Sequence, residues 1–204
     1  MNLKKWGLLF ITICLFFLIS INIVFYFKIN PSNKKSIISL AVLGQNLEAQ
    51  KYFPNDNDTL NLGVNLRWFI YLQNDMDEIQ YFLIKVKIIN SDIPSPNISY
   101  CYPCPAPSIY EIRRILLNNE TLIEPFVWSI NNAIKNNETI TILKININGH
   151  LIDTEIVKRI DEEFKIIFEI WVYDGSLNEF VFNLSDISLS RCLWNQFFFD
   201  LNVS

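Results

Sequence analysis

Three cysteines have the residue type and spacing best suited to chemistry. Cys101 and Cys104 form a Cys-x-x-Cys motif, and Cys192 lies far downstream. Two thiols at this spacing can form a reactive disulfide when a helix amino terminus lowers the pKa of one of them. Here prolines stand on both sides of the motif and no strand–helix–strand pattern precedes it. A structural role is therefore favoured over thiol oxidoreductase chemistry.

A fourth cysteine, Cys14, lies in the apolar segment near the amino terminus. The three cysteines beyond that segment leave one without a partner, and two arrangements stay open. Either Cys101 pairs with Cys104 and Cys192 is free, or one of that pair reaches Cys192. The chain-entropy model gives about 2 kcal/mol for the short loop and about 4.6 kcal/mol for the long one, so the long bridge would stabilise the fold more. A zinc site is disfavoured because His150 and Cys192 would have to join the pair from distant strands.

An oxygen-rich segment, Asn55 to Asp58, superficially resembles a calcium loop. An EF-hand needs glycine at its sixth position and glutamate at its twelfth. Counted from Asp56, those positions hold Asn61 and Arg67, so we expect a solvated turn and no metal site.

The sequence contains no recognisable catalytic motif. His150 lies near Asp153 and Glu155, but neither a Gly-x-Ser-x-Gly elbow nor a His-Glu-x-x-His motif occurs. Five glycines and one histidine leave little material for phosphate loops or histidine-based catalysis. We therefore predict that the protein is not an enzyme and uses no cofactor.

The charge balance argues against a nucleic-acid partner. The first 28 residues hold three of the 17 basic side chains and no acidic one. The remaining 14 basic and 21 acidic residues give the rest of the chain a formal charge of −7. Nucleic-acid binding domains are usually basic.

Aromatic side chains are the candidates for partner recognition. Trp171 and Tyr173 share one face of a predicted strand with Ile167, while the opposite face, from Phe168 to Val172, is also apolar. Burial in a sandwich core is the simpler explanation. If both faces are apolar, however, a protein partner can cover one of them, and an exposed row would also suit sugar binding.

Alternating apolar residues predict the strands that must position these groups. The pattern runs from Leu60 to Leu72, from Phe82 to Ile88 and from Phe164 to Val172. Between Thr139 and Asn148 the alternation changes phase, which predicts a β-bulge near Leu143.

Turn residues and shorter apolar runs complete the predicted architecture. Asp174-Gly175 and Asn148-Gly149 suit hairpins that need positive φ angles, and short strands are expected at Leu40–Leu43 and Phe197–Val203. Helical spacing from Phe126 to Ile134, after Pro125, predicts one helix. At least seven strands without alternating helices favour an all-β, antiparallel, immunoglobulin-like β-sandwich.

An apolar segment precedes the sandwich. Trp6 to Phe27 holds 22 residues without a charge, enough for a helix to cross the hydrocarbon core. A cleaved signal peptide is the alternative, but the stretch is too long for one and no Ala-x-Ala follows. We predict a single-pass signal-anchor in residues 1–28 that contacts membrane lipid, a stalk in residues 29–36 and an extracytoplasmic sandwich in residues 37–204.

The flanking lysines do not decide how the predicted anchor is oriented in the membrane, because they are almost equally numerous on both sides of the span. The orientation must therefore be inferred from the sequence beyond the anchor. Six Asn-x-Ser/Thr triplets follow the span, as expected of an extracytoplasmic domain that carries glycans. In an asparagine-rich chain, chance alone can also produce this number. We predict a cytoplasmic amino terminus. The glycosylation candidates are Asn57, Asn97, Asn119, Asn137, Asn183 and Asn202.

Two long segments resemble a known family. They are SLAVLGQNLEAQKYFPNDNDTLNLGVNLRWFIYLQND, which includes the Tyr52-Phe53-Pro54 loop, and KIIFEIWVYDGSLNEFVF. Between Ser39 and Val203 the chain resembles the archaeal membrane-associated family called domain of unknown function 1616. The resemblance implies an archaeal envelope protein, although family members commonly have several spans before the sandwich. It supplies no activity and no functional residues.

These observations predict a noncatalytic, membrane-anchored envelope protein whose β-sandwich binds another protein. Carbohydrate binding through exposed aromatic residues is the first alternative, and thiol oxidoreductase activity through Cys101 and Cys104 is the second.

Overall fold

A computed structural model describes residues 37–182 and 192–203, together with Phe16, Phe17, Ile19 and Ser20 in a helical piece. In that piece the Ser20 hydroxyl donates to the Phe16 carbonyl over 2.9 Å. The rest of the predicted anchor and the whole stalk lie outside the described residues.

Within the described part of the chain, no helix combines the length and the apolar character that crossing a membrane requires.

The described part of residues 37–204 is all-β, as predicted, and forms two sheets. The first has the strand order β1-β3-β6-β7-β8, and the second has the order β2-β11-β9-β4-β5, with β10 also paired to β9. All neighbours are antiparallel except β2 and β11, which are parallel. The strands are β1 (Ile37–Leu43), β2 (Thr59–Asn61), β3 (Leu66–Asp75), β4 (Gln80–Ile89), β5 (Tyr110–Leu116), β6 (Glu120–Lys135), β7 (Thr139–Ile147), β8 (His150–Arg159), β9 (Phe164–Asp174), β10 (Glu179–Val181) and β11 (Leu193–Asn202).

Aromatic side chains from both sheets form the shared core. Trp68 and Trp128 of the first sheet pack edge to face with centroids 5.1 Å apart, and Phe126 meets Phe168 of the second sheet at 5.0 Å. All four are fully buried. Because burial of one large apolar side chain contributes about 1.5–3 kcal/mol, this aromatic core is a main source of stability. The predicted all-β architecture of two packed, mainly antiparallel sheets is confirmed.

A buried lysine also joins the two sheets. Lys158 of β8 forms an ion pair with Asp200 of β11, with 2.8 Å between Nζ and Oδ1. Its ammonium also donates to the Glu162 carbonyl over 2.6 Å, so the buried charge has polar partners.

The prediction of one strand from Leu60 to Leu72 is wrong. Thr59–Asn61 pairs with β11 in the second sheet, whereas Leu66–Asp75 belongs to the first sheet. Between them Gly63 has φ +76° and donates its N–H to the Ile130 carbonyl over 2.8 Å. Apolar residues continue at every even position through this connection, although Leu62 and Val64 are exposed. The sequence pattern therefore does not show that the chain passes from one sheet to the other.

The predicted helix after Pro125 is also wrong, because the segment lies within the 16-residue strand β6. Phe126, Trp128 and Ile130 are buried with the period of a strand. The register with β7 then shifts around Asn131, which returns Ala133 to the core. Because of this irregularity, the buried residues Phe126, Ile130 and Ala133 are separated by four and three positions, which is the spacing of one face of a helix.

The predicted bulge at Leu143 is confirmed. The pairing of β7 with β6 and with β8 passes from Ile142 to Lys144 with a register shift. Ile142 before the shift and Ile145 after it are both fully buried, so the bulge keeps both halves of β7 facing the core.

The two predicted hairpins form with different turns. Asn148 and Gly149 have φ values of +50° and +86° between paired Ile147 and His150, as predicted for a two-residue turn. After Asp174, positive φ occurs at Asn178 and not at Gly175. Hydrogen bonds from the Ser176 hydroxyl and N–H to Asp174 order this longer turn and lower the pKa of the Asp174 carboxyl.

The loop after β1 folds back tightly on itself and onto the core. Tyr52 donates its hydroxyl to the Val42 carbonyl over 3.0 Å, and the Trp68 indole donates to the Tyr52 carbonyl over 2.6 Å. Gly44 lies beneath this loop, where an added Cβ would lie 2.2 Å from the Gln50 carbonyl oxygen. Only glycine fits at that position.

Gly44→Ala is expected to lower the free energy of unfolding by about 1–3 kcal/mol, because the loop backbone must move to admit the methyl group. Gly175→Ala is the matched control, since a Cβ there meets nothing within 4 Å and neither glycine has positive φ. Urea denaturation of both variants measures the difference. Equal stability of the two variants would show that the loop backbone moves without cost, and would contradict the requirement for glycine at position 44.

Candidate functional site

The outer face of the second sheet, turned away from the core, carries all three described cysteines and both predicted interaction residues. Part of this face is covered by residues 90–109, which connect β4 to β5 and are called here the covering loop. Ile89 of β4 and Ile167 of β9 are fully buried beneath it, in contact with Cys104 of the loop.

A buried ion pair lies under the covering loop. Lys87 Nζ is 2.9 Å from Glu169 Oε2, and the two side chains are 4% and 0% exposed. The Cys104 N–H donates to Glu169 Oε1 over 2.7 Å, and Lys87 Nζ donates to the Cys104 carbonyl over 2.5 Å. Both charges therefore bind one another and the same loop residue. Such complete pairing is what makes buried charges tolerable.

Trp171, one of the two predicted interaction residues, is half-buried and is held in place by this pair. Its indole N–H donates to Glu169 Oε2 over 3.1 Å, and its ring packs against Phe182 at 5.6 Å. Lys85 Nζ lies 3.6 Å from the ring centroid on the outer face. Burial at this position lowers the pKa of Lys85.

The Cys-x-x-Cys motif is divided between two clusters. Cys104 packs with Ile89 and Ile167, whereas Cys101 packs with Cys192 and Phe182. Burial raises the pKa of the Cys104 thiol. Burial, together with the neighbouring Cys101 thiol, raises the pKa of Cys192 to about 12. Because the thiolate is the nucleophile, these two cysteines are poorly suited to thiol exchange in the folded state.

Beyond the covered area lies a group of side chains called here the aromatic patch, in which Tyr81 and Phe180 are half-buried and the other members are exposed. Its members are Tyr81, Arg113, Ile115, Tyr173 and Phe180. Phe180 packs at 4.9 Å from Tyr81 and 5.5 Å from Tyr173, in both cases edge to face. The Arg113 guanidinium lies 5.8 Å from the Phe180 centroid. Tyr173 is 36% exposed and Ile115 is 64% exposed.

The other groups considered in the sequence analysis, around His150 and Asn55, lie on the surface. His150 and Glu155 are exposed on β8, and Asp153 pairs with Lys144 on the surface. Asn55 and Asp56 lie in an exposed 3-10 turn. Among the residues that the structure describes, no three His, Cys, Asp or Glu side chains are placed to hold a metal ion.

The glycosylation candidates within the described ranges are exposed. Asn97 accepts the N–H groups of Ser99 and Tyr100 through Oδ1. Asn202, by contrast, donates its amide to the Asn61 side chain over 3.0 Å. Asn183 lies outside the described residues. The exposed candidates are Asn57, Asn97, Asn119, Asn137 and Asn202.

The buried ion pair was not foreseen from the sequence. Lys85, Lys87 and Glu169 alternate with apolar residues as solvent-facing charges do. Two features of the sequence could have indicated a buried ion pair. One is the presence of opposite charges on the same face of neighbouring strands, and the other is the long connection after β4.

Comparison with known proteins gave no match to any family model, curated protein or solved structure.

Lys87→Met is expected to lower the free energy of unfolding by about 3–5 kcal/mol, because it leaves the Glu169 carboxylate buried without its cation. Lys144→Met is the matched control, since it breaks an exposed pair and is expected to cost about 0–1 kcal/mol. Chemical denaturation compares the two. Similar losses for both variants would contradict the structural role of the buried pair.

Proposed function

We propose that this protein is a noncatalytic, membrane-anchored envelope protein that binds a protein partner through the aromatic patch. The observation that carries the proposal is the grouping of three aromatic rings, an arginine and an exposed isoleucine on one outer sheet face. An immunoglobulin-like arrangement of the sandwich and membership of the archaeal family named above belong to the same proposal.

The composition of the patch suits a protein interface. Tyrosine, phenylalanine and arginine are enriched at interface centres, and rigid aromatic rings lose little conformational entropy on binding. Tyr173 is fixed by packing against Phe180 and by a 2.6 Å hydrogen bond from its hydroxyl to Asn178 Oδ1. The patch is therefore largely preorganised.

Carbohydrate binding is the second candidate. Within the patch the rings are tilted by 45° to 68°, which presents edges as well as faces. On the covering loop, however, Tyr100 and Tyr102 are 69% and 66% exposed and nearly parallel, with 22° between their planes. A glycan ligand would favour this second function if Tyr102→Ala abolished its binding and Tyr173→Ala did not.

Thiol oxidoreductase activity has the weakest support, because Cys101 and Cys104 lie in separate clusters and burial raises the pKa of Cys104.

The membrane part of the proposal rests on the sequence. The uncharged segment Trp6 to Phe27 supplies a lipid-contacting span, and residues 29–36 supply a stalk. The exposed glycosylation candidates favour an extracytoplasmic position for the sandwich. The amino terminus would then be cytoplasmic.

A photoreactive phenylalanine analogue at position 115 is expected to cross-link a discrete partner protein in intact cells. Leu151 is the matched control position, because it is 63% exposed, against 64% for Ile115, and lies on the first sheet. Tyr173→Ala should reduce the product from position 115 by roughly tenfold or more, as expected for an interface hot spot. A product formed equally from position 151, or unchanged by Tyr173→Ala, would contradict the proposed patch function.

Protease added to intact cells is expected to digest residues 37–204, because the proposal puts the sandwich outside the membrane. Immunoblotting of the full-length chain follows the loss, and an intact cytoplasmic marker protein controls for lysis. A chain that stays resistant until the cells are opened would refute the proposed orientation. Such protease resistance would not affect the separate cross-linking test of the aromatic patch.

A further inference from the structure

We propose that Cys101 and Cys192 form a disulfide that fastens the covering loop to the segment entering β11, and that Cys104 stays a thiol. Both cysteines of this bridge lie in the sandwich, outside the aromatic patch, so the bridge can form whether or not the anchor and the patch have their proposed roles.

The positions of the two thiols carry the inference. Cys101 Sγ lies 3.8 Å from the Ile98 carbonyl oxygen, and Cys192 Sγ lies 3.9 Å from the carbonyl oxygen of the adjacent residue, Asn97. The two cysteines belong to one buried cluster, which Trp171 and Trp194 partly enclose. Both residues are buried beside Phe182. Cysteines from two distant parts of the chain thus meet at one point.

The backbone of the loop presents Cys101 to its partner. Cys101 has φ +48°, an uncommon conformation for a residue with a Cβ atom. The Asn97 N–H donates to the Tyr102 carbonyl over 2.9 Å, which closes a tight turn around the cysteine. This turn directs Cys101 towards Cys192, while the next cysteine in the motif enters the other cluster.

Cys104 is excluded by its own contacts. Its N–H and carbonyl bind Glu169 and Lys87, and its side chain packs on Ile89 and Ile167. A bridge from Cys104 to either other cysteine would pull this residue away from the buried ion pair.

The oxidation requires a disulfide donor such as oxidised glutathione. One cysteine, as the thiolate, attacks a donor sulfur, which forms a mixed disulfide and releases one glutathione thiolate. The second cysteine thiolate then attacks the cysteine sulfur of that mixed disulfide and releases the second glutathione. The two cysteines lose two electrons and two protons, and the donor disulfide is reduced to two thiols.

Peptide mapping tests the pairing in the full-length chain. The chain is unfolded in urea in detergent and refolded into a buffer of reduced and oxidised glutathione, so burial cannot block the reaction. Remaining thiols are alkylated, and the protein is cleaved with trypsin without reduction. Cleavage after Lys87, Arg113 and Arg191 gives peptides 88–113 and 192–204. Fragmentation of the linked species then assigns the cysteine used in the first peptide.

The expected product joins Cys101 to Cys192 and carries the alkyl group on Cys104. Cys104→Ala should retain the linked peptide, whereas Cys101→Ala should lose it. Circular dichroism confirms that each refolded sample has the strand content of the wild type. A Cys101–Cys104 or Cys104–Cys192 bridge, or alkyl groups on both Cys101 and Cys192 in the refolded protein, would overturn the inference.

Discussion

Strand β9 has to be buried on both faces, and this requirement organises the second sheet. Its even-numbered residues from Phe164 to Ile170 fill the core, while Ile167 and Glu169 on the opposite face are also fully buried. A two-layer sandwich covers only one face of each sheet with the other sheet. The second cover must therefore come from elsewhere, and the chain supplies it as the loop between β4 and β5.

The ion pair of Lys87 and Glu169 gives that cover a defined position. Apolar contacts alone would let a loop slide on a flat sheet face, because hydrophobic attraction has no direction. Hydrogen bonds to both the N–H and the carbonyl of Cys104 fix one register. Buried ion pairs often add little net stability compared with apolar residues, so we interpret this pair mainly as a device for specificity.

The sequence predicted those parts of the fold that depend on local alternation. Strands β4 and β9, the Leu143 bulge and the Asn148-Gly149 turn follow from residues close together in the chain. Local patterns failed where distant partners decide the structure. The period-two run through Gly63 conceals a change of sheet, and the bulge in β6 imitates a helix face.

The same reasoning explains which parts of the site were predictable. Trp171 and Tyr173 were identified from their shared strand face, and the strand is present as predicted. Their different environments depend on how far the covering loop extends across the sheet, which no local pattern encodes. Similarly, the two arrangements left open for the cysteines differ only in long-range geometry, which brings Cys101 to Cys192.

The covered and uncovered parts of the outer face are mechanically connected. Glu169 binds the loop through Oε1 and the Trp171 indole through Oε2, and Trp171 packs on Phe182 just after β10. Phe180, within β10, then supports Tyr81 and Tyr173. The aromatic patch therefore rests on side chains whose positions the buried carboxylate fixes. Loosening the covering loop should disturb the patch without any change in the patch residues themselves, because one chain of contacts holds both.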